Sequence, residues 1–405
     1  MLWCAALQGW RALSPAARML VGNGLAFNLG FYMMMPFLAQ HLGALGLTGW
    51  ASGLVMGMRV FSQQGLFLLG GMLGDRLGYR PAILLGCLIR SAGFVLLGWA
   101  VSLPVLFVAA FLTGFAGALF TPCAHAFLAA ECRNDAHRRQ AFALHNLVSE
   151  AGMLLGPLVG MLLTGISYAV TGLAAGGIFL LLTILQWRWL PRDPVDPARR
   201  EQGVLAQWSA MIRNRAFMAF TLLAACYQLL FHQLYLAVPA YIGSHGYDTG
   251  LLSGVFTLSA LIGVTLQLPA SELVRRRLGV AWAMGLGLGL MGMSYLLLPL
   301  LAAWPVTAAL LQAACLSLGS ILCFPLFAAF LPSFADSRAL GGHYGFYASV
   351  GGCVALIGNV AVGFALGEGG RVPPLWLWLV LAACGMLAGG LLFRLVRRWD
   401  ASSSL

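Results

Sequence analysis

The residue with the clearest chemical potential in this sequence is Glu150. It is the only acid inside any of the long apolar segments, and it lies about midway through its segment. Asn146, four residues earlier, shares its face of a helix. Apolar surroundings raise the pKa of a carboxyl group and a nearby arginine lowers it, which is how a proton carrier can be tuned. Glu150 is therefore a candidate proton carrier, and a structural ion pair is the alternative.

Two arginines are candidates for the partner of that acid. Arg59 and Arg90 are the basic residues placed well inside apolar segments. Burial of an arginine requires a partner, so we expect one of the two to meet Glu150. Gln63 lies four residues after Arg59 and shares its helical face.

A stripe of polar and aromatic residues follows one helical face near residue 230. Gln228, His232 and Tyr235 stand at positions i, i+4 and i+7 of an otherwise apolar segment. Such a stripe serves either hydrogen bonding between helices or the wall of a substrate cavity. Two residues of other segments, Tyr32 and Phe324, are candidates to complete a cavity. The predicted cavity set is Asn23, Tyr32, Gln63, Asn146, Gln228, His232, Tyr235 and Phe324.

Composition shows what kind of element must position these residues. Of 405 residues, 60% are hydrophobic and only 9% are charged, and the mean hydropathy is +0.88. A soluble chain would carry roughly a quarter charged residues. Apolar runs of about 20 residues recur along the chain, each long enough to cross a bilayer. The sequence predicts an all-α polytopic membrane protein in contact with the lipid bilayer.

Charge and cysteine content exclude other classes. The net charge of +11 comes from arginines in alternate loops, which is typical of membrane orientation and not of nucleic-acid binding. Nine cysteines lie scattered without a CxxC pair or a Cys/His ligand spacing. We therefore predict no metal site, no cofactor and no catalytic residue.

The apolar runs predict twelve spans, six on each side of a polar, proline-rich linker. The spans are expected at roughly 19–40, 48–71, 81–101, 103–124, 141–163, 165–190, 216–243, 250–270, 280–301, 305–331, 343–366 and 373–396. The predicted domains are an N-terminal half at 1–190, a linker at 191–215, a C-terminal half at 216–396 and a tail at 397–405. Of the 23 arginines, 20 fall on one side of this topology and only Arg371 lies in a loop on the other. Both termini are therefore expected in the cytoplasm.

The two halves read as a degenerate repeat offset by about 200 residues. The segment 36–43, which ends the first span, resembles 239–246, which ends the seventh. The charged turn at 71–80 has a weaker counterpart at 272–279, again between the second and third spans of its half. Two parallel six-helix halves are the architecture of a rocking transporter.

The segment 71–80 is the most specific motif of the chain. It reads GMLGDRLGYR, and its pattern is predicted to form a tight charged loop between the second and third spans. The motif positions are Gly71, Asp75, Arg76, Gly78 and Arg80. This pattern resembles the GxxxDRxGxR signature of the major facilitator superfamily, although Tyr79 stands where that family usually has a basic residue. The resemblance implies that the loop supports gating between helices and does not contact substrate.

A glycine stripe in the fifth span gives a second motif. Gly152, Gly156 and Gly160 recur every four residues, and Pro157 adds a bend. The stripe predicts close helix packing. It also resembles the antiporter motif of the superfamily's drug exporters, and the chain as a whole resembles the MdtH-type branch of twelve-helix drug:proton antiporters. Asn23 and Thr113 depart from that branch, because an acid and an arginine would be expected at their positions.

The resemblance implies export of small amphiphilic molecules by proton antiport and alternating access, by a monomer in the bacterial cytoplasmic (inner) membrane. Its expected partners are a small-molecule substrate and protons. Two rival functions are export of one endogenous metabolite, such as a siderophore, and proton-coupled uptake by symport. A membrane-embedded enzyme such as an acyltransferase is disfavoured, because the only His-x4-acid spacing, His145 with Glu150, lies on a helix.

Overall fold

The structure is a computed structural model that describes residue 10 and residues 13–132, 135–191, 211–334, 340–367 and 371–403. Over these residues the chain is helical and contains no β-strand, which agrees with the predicted all-α polytopic fold. The helices α1 to α15 are, in order, Pro15–Ala44, Gly49–Gln64, Phe67–Leu77, Tyr79–Trp99, Leu103–Ala130, Asp135–Thr164, Tyr168–Trp189, Arg215–His232, Ala237–Ser244, Thr249–Leu273, Val280–Ser294, Leu297–Leu300, Pro305–Phe330, Leu340–Leu366 and Leu375–Ser403.

Ten segments of the described chain are long and apolar enough to cross a membrane. They account for the third to the twelfth predicted spans. The first predicted span lies in α1, which is 30 residues long. The second is divided between α2 and α3 by a break at residues 65 and 66. Two other predicted spans are also divided, the seventh between α8 and α9 and the ninth between α11 and α12.

The prediction of a loop at residues 71–80 was wrong, because most of this segment is helical. Helix α3 continues through Leu77, and α4 begins at Tyr79. Only Gly78 is non-helical, with φ of +92°, and its N–H bonds to the carbonyl of Gly74. Positive φ is accessible to glycine without steric cost, so a single residue can turn the chain between two helices.

The repeat is visible in the backbone at two pairs of glycines. Gly46 and Gly246 have φ of +76° and +77°. In both turns the glycine N–H donates a hydrogen bond to the carbonyl three residues earlier, at 2.9 Å for Gly46 and 3.0 Å for Gly246. The N–H of the residue after each glycine donates to the carbonyl five residues before that residue, at 3.2 Å in both turns. This is the Schellman pattern that ends a helix. Gly78 has its counterpart in Gly279, with φ of +73° after the π-helical segment Val274–Leu278. The pairs are offset by 200 and 201 residues, which supports the repeat predicted from the sequence.

Contacts divide the chain into two compact units. Unit 1 comprises the described residues of Met1–Phe37 and Ser62–Arg200, and unit 2 those of Leu38–Phe61 and Glu201–Leu405. Unit 2 includes residues 49–61 of α2, because this part of the helix packs closely on α14, as described below. The predicted linker at 191–215 lies mostly outside the described residues, so the domain boundaries remain a prediction. The core of unit 1 joins α1, α4, α5 and α6 through buried apolar side chains.

Candidate functional site

Glu150 lies on α6 in unit 1 and is half-buried. It is the single Asp or Glu in the ten candidate membrane helices. Its Oε2 is buried and accepts no hydrogen bond from the described residues. A carboxylate oxygen without a donor is costly to keep charged in apolar surroundings. Glu150 therefore combines a position inside a candidate membrane helix with a carboxyl oxygen that has no donor among the described residues.

The glycine stripe positions this part of α6 against α1. A Cβ added at Gly152 would lie 2.5 Å from the carbonyl oxygen of Leu25, and one at Gly156 would lie 2.5 Å from the Cβ of Tyr32. Gly160 approaches the backbone of Met33 in the same way. The prediction of close helix packing is thus confirmed. Glu150 stands two residues before Gly152, or about 200° around the helix, and so is turned away from α1.

Arg90 lies on α4, also in unit 1, and is only 3% exposed. Its guanidinium carbon lies 4.1 Å from the ring centroid of Phe27, 5.2 Å from that of Phe179 and 5.6 Å from that of Phe94. Aromatic faces attract a cation most strongly where water is excluded. Pairing of Arg90 with Glu150 stays a prediction. The contacts of Arg90 with these aromatic rings were not predicted from the sequence.

Asn23 was predicted to line a substrate cavity, but the structure buries it between helices. Its side chain is 1% exposed. Its Oδ1 accepts a hydrogen bond of 3.2 Å from Nε2 of Gln186, which also contacts Sγ of Cys87 at 3.6 Å. This polar cluster joins α1, α4 and α7. The Nδ2 of Asn23 is buried without a hydrogen-bond partner among the described residues, so the cluster satisfies the oxygen of this side chain and leaves its nitrogen unsatisfied.

The remaining unit 1 candidates differ in exposure. Asn146 is exposed, whereas Tyr32 is half-buried beside Phe31, with ring centroids 5.0 Å apart. Gln63 packs on α5, where its Nε2 would lie 3.2 Å from a Cβ added at Gly117. The structure therefore does not gather all of the predicted cavity residues of this unit on one surface.

The signature motif connects α3 and α4 to their neighbours. Arg76 is exposed. Arg80 donates a hydrogen bond of 2.6 Å from Nη2 to the carbonyl of Trp187, near the end of α7. A Cβ at Gly71 would lie 3.9 Å from Pro122 of α5. The side chain of Asp75 lies outside the described part of the chain, so the predicted gating role of this motif stays a prediction.

In unit 2 the polar and aromatic stripe of α8 joins a continuous row of rings. Tyr227 stacks on Phe231 with centroids 5.4 Å apart and on Phe324 of α13 at 4.9 Å. Its hydroxyl hydrogen-bonds to Ser320 at 2.8 Å. Phe324 itself is 48% exposed. The row continues past the end of α8 to Tyr235, which packs on Phe256 of α10 at 4.8 Å. We call this row the aromatic row.

Arg59 of α2 belongs to the same unit. It is 8% exposed, and His232 lies at the end of α8. The imidazole lies beside Phe231 and Tyr235, with ring centroids 5.9 and 6.3 Å apart. Gln228 is buried and supplies the carbonyl that contacts the imidazole. Pairing of Arg59 with Glu150 stays a prediction.

Helix α14 packs against both helices that carry Arg59 and His232. Gly49, Gly53 and Gly57 bring α2 against the backbone of α14, with a Cβ at Gly57 only 3.1 Å from the Leu356 carbonyl oxygen. On α8, the side chain of Gln228 packs over Gly351 of α14. The glycine stripe of α2 was visible in the sequence at spacing four, and it could have predicted this contact.

Sequence reasoning also missed the break in the seventh span. The chain leaves helical geometry after His232 and resumes it at Ala237. Inside the break, Gln233 is fully buried and donates hydrogen bonds to the Leu229 carbonyl at 2.9 Å and to Oδ1 of Asn359 at 3.2 Å. Broken helices in membrane proteins require such internal partners for their backbone and side-chain groups. Residues 233–236 contain no glycine or proline, but Pro239 cannot donate a helical hydrogen bond to the Tyr235 carbonyl and could have indicated the break.

Comparisons with known proteins agree with this architecture. A family model of the Major Facilitator Superfamily matches residues 20–359. An uncharacterized MFS-type transporter of Mycobacterium tuberculosis (strain ATCC 25618 / H37Rv) is 39% identical, over 98% of this chain and 96% of its own length. The multidrug resistance protein MdtH of Edwardsiella ictaluri (strain 93-146) is 27% identical over 92% of both chains.

Solved structures show the same fold at low sequence identity. A crystal structure of a peptide transporter POT in complex with sulfate aligns with a TM-score of 0.80 and 14% identity, over 97% of this chain and 98% of that one. At this identity the likeness concerns the fold alone.

Proposed function

Because the chain belongs to the Major Facilitator Superfamily, we propose that it exports small amphiphilic molecules across the cytoplasmic membrane by proton antiport. The observation that carries the proposal is Glu150, the single acid in the ten candidate membrane helices, whose Oε2 is buried without a donor. Proton-coupled transport by alternating access needs a group that binds a proton in one conformation and releases it in another. An isolated membrane carboxyl group can serve this purpose.

The mechanism follows from the cost of burying charge. Where Glu150 is shielded from water, the protonated acid is favoured because desolvation penalises the carboxylate. Where water reaches the group, the proton can leave. A proton taken up from the outer side and released on the cytoplasmic side would drive the reverse movement of a substrate. Both termini are proposed to face the cytoplasm, from the distribution of arginines.

The outward direction is supported by two similarities. The Gly152, Gly156, Pro157 and Gly160 stripe resembles the antiporter motif of drug exporters. The MdtH protein, whose name describes multidrug resistance, is similar over most of the chain. Proton-coupled uptake is the second candidate, because the solved peptide transporters share the fold. Export of one endogenous metabolite is a third candidate. In that case only a narrow range of compounds would compete with the substrate for transport.

The test is transport into inside-out membrane vesicles with an acidic lumen. An antiporter accumulates substrate in the lumen, and a difference of one pH unit supports at most about tenfold accumulation for one-for-one exchange of an uncharged substrate. We expect the wild-type protein to accumulate substrate and Glu150→Gln to equilibrate it without accumulation. Glu272→Gln is the matched control, because Glu272 is partly exposed, lies at the end of α10 and pairs with Arg276. The substrates should include cationic dyes and aromatic carboxylates.

Two results would contradict the proposal. Accumulation that requires an alkaline lumen would mean uptake by symport. Uphill accumulation that persists in Glu150→Gln under the same gradient would mean that Glu150 is structural and that another group couples transport to protons.

A further inference from the structure

An apolar groove lies in unit 1 between α4 and α7, two of the candidate membrane helices. Its volume is about 360 Å³, and it is lined by Leu84, Leu85, Leu88, Thr183, Ile184 and Trp187. The hydroxyl of Thr183 adds no free donor, because it bonds to the Phe179 carbonyl at 2.8 Å. The groove therefore suits a hydrocarbon chain and offers nothing to a polar solute.

Two arginines stand at one end of this groove. Arg80 lies in the first turn of α4, one helical turn before Leu84. Its Nη2 donates a hydrogen bond of 2.6 Å to the Trp187 carbonyl at the protein surface, which holds the guanidinium beside the last turn of α7. Arg188 follows Trp187 directly and is exposed. Neither α4 nor α7 contains an Asp or Glu, so these helices supply no acid that would neutralise the two arginines.

The order of charge and apolar surface matches that of a phospholipid. Trp187 is 66% exposed, and tryptophan is enriched at the level of the lipid headgroups. The arginines lie at this level, and Leu84 and Leu88 follow one and two turns deeper along α4. A ligand that fits both features carries a negative charge at one end and an alkyl chain at the other.

The corresponding helices of the second half pack differently. Gly285 of α11 stands 201 residues after Leu84, which is the offset of the second pair of turn glycines. A Cβ added at Gly285 would lie 2.9 Å from the Cβ of Phe393 and 3.0 Å from the Gly389 carbonyl oxygen, both on α15. Helices α11 and α15 thus approach closely where α4 and α7 form the groove. The repeated fold does not require a groove at this position, so the groove is a feature of the side chains of unit 1.

We propose that this groove binds an anionic phospholipid, with its phosphate at Arg80 and Arg188 and one acyl chain between α4 and α7. The bond to the Trp187 carbonyl uses one of the five N–H donors of Arg80, so others remain for a phosphate. The planar fork of arginine matches phosphate geometry. A zwitterionic lipid with the same chains lacks the net charge and should bind more weakly. The inference does not depend on the direction or the coupling of transport.

The experiment is native mass spectrometry of the full chain, purified in detergent and freed of bound lipid. The probes are phosphatidylglycerol and phosphatidylcholine with identical acyl chains, which differ in net charge. A basic residue near an anionic lipid headgroup favours binding by roughly fivefold. We therefore expect the first phosphatidylglycerol to bind about 5–25 times more tightly than the first phosphatidylcholine. The same spectra give the number of protein copies that carry the lipid.

Variants then assign this preference to the arginines. Arg80→Gln and Arg188→Gln should each lower the ratio of the two affinities by about fivefold, with little change in the affinity for phosphatidylcholine. Arg394→Gln is the matched control, since Arg394 is also exposed and lies towards the end of α15, outside the groove. It should leave the ratio unchanged.

The position of the acyl chain is measured separately by fluorescence quenching. Bromine atoms on a lipid chain quench a tryptophan that the chain contacts, and Trp187 lines the groove. One equivalent of phosphatidylglycerol with brominated chains should quench the wild-type protein more than Trp187→Phe. Trp99→Phe is the control, because Trp99 is 62% exposed at the opposite end of α4, and it should be quenched as much as the wild-type protein.

Four results would overturn the inference. One is equal affinity of the two lipids for the wild-type protein, which needs no variant and so does not depend on how the variants fold. Another is an unchanged ratio in folded Arg80→Gln and Arg188→Gln proteins, or an equal change in Arg394→Gln. A third is the same quenching in Trp187→Phe as in the wild-type protein. The last is a dimer that excludes the lipid, which would mean that a second copy of the chain covers the groove.

Discussion

The close contact between α1 and α6 predicts opposite effects for the same substitution at different glycines. In Gly156→Ala, the new Cβ would lie 2.5 Å from the Cβ of Tyr32, 3.1 Å from the Tyr32 carbonyl carbon and 3.2 Å from the Leu29 carbonyl oxygen. Carbon atoms in contact lie about 3.5–4.0 Å apart. The two helices would therefore have to separate by roughly 1 Å at this point. Two of the three neighbouring atoms belong to the backbone, so a change of side-chain rotamer cannot relieve the clash.

Two energies of opposite sign decide the result. Replacing glycine with alanine in a helix stabilises the helix by about 0.5–1 kcal/mol, because glycine loses more conformational entropy on folding. Overpacking of a close contact costs about 1–3 kcal/mol. Separation at Gly156 also weakens the contacts at Gly152 and Gly160, which belong to the same stripe. We expect the cost to exceed the gain, so Gly156→Ala should lower the free energy of unfolding.

Gly22 and Gly177 provide the matched controls. Both lie within helices, on α1 and α7, and a Cβ added at either would meet no atom within 4 Å. Gly22→Ala and Gly177→Ala should therefore keep or raise stability through helix propensity alone.

Thermal unfolding of the detergent-purified proteins, followed by tryptophan fluorescence, measures the difference. The midpoint should fall for Gly156→Ala and stay equal or rise for Gly22→Ala and Gly177→Ala. If Gly156→Ala were as stable as Gly177→Ala, the helices would not pack as closely as described, and the account of the stripe would be wrong.

Two further substitutions test the turn between α3 and α4 and the surroundings of Arg90. Gly78→Ala places a side chain at φ of +92° and ψ of +150°, a region that is almost restricted to glycine and costs other residues about 1–3 kcal/mol. The unfolding midpoint should therefore fall, and that of Gly279→Ala should fall for the same reason. An unchanged midpoint in both variants would contradict the positive-φ turns. Arg90→Gln removes contacts with three rings, each worth about 0.5–2 kcal/mol. This variant should therefore unfold at a lower temperature than Arg90→Lys, which keeps the charge. Equal midpoints for the wild-type protein and Arg90→Gln would show that these contacts do not stabilise the fold.

Much of the fold could be predicted because membrane helices are specified by composition and length. The positions of Gly152, Gly156 and Gly160 predicted close packing, and the structure places all three against α1. The contacts that stabilise the breaks within spans could not be predicted, because their partners are distant in the sequence. Gln233 contacts Asn359, 126 residues away, and nothing near either residue indicates it.

The sequence singles out the residues of the candidate site but does not show which of them contact one another. Glu150, Arg59 and His232 were selected because ionisable groups are rare in apolar segments. Which of them meet is decided by packing between helices that are far apart in sequence. Arg90 illustrates the difficulty, since Phe27 and Phe179, which it contacts, look like ordinary apolar residues in the sequence. The ring contacts became evident only when α1, α4 and α7 were brought together.

The two halves of the repeat share their backbone turns but not their charged side chains. A turn with positive φ needs glycine, so Gly46 and Gly246 fall at equivalent places in the two halves. Charged side chains have no such requirement. Unit 1 has the only acid of the ten candidate membrane helices, whereas those of unit 2 have none. The acid that we propose as the proton carrier therefore has no counterpart in the candidate membrane helices of unit 2, although both units repeat the same turns.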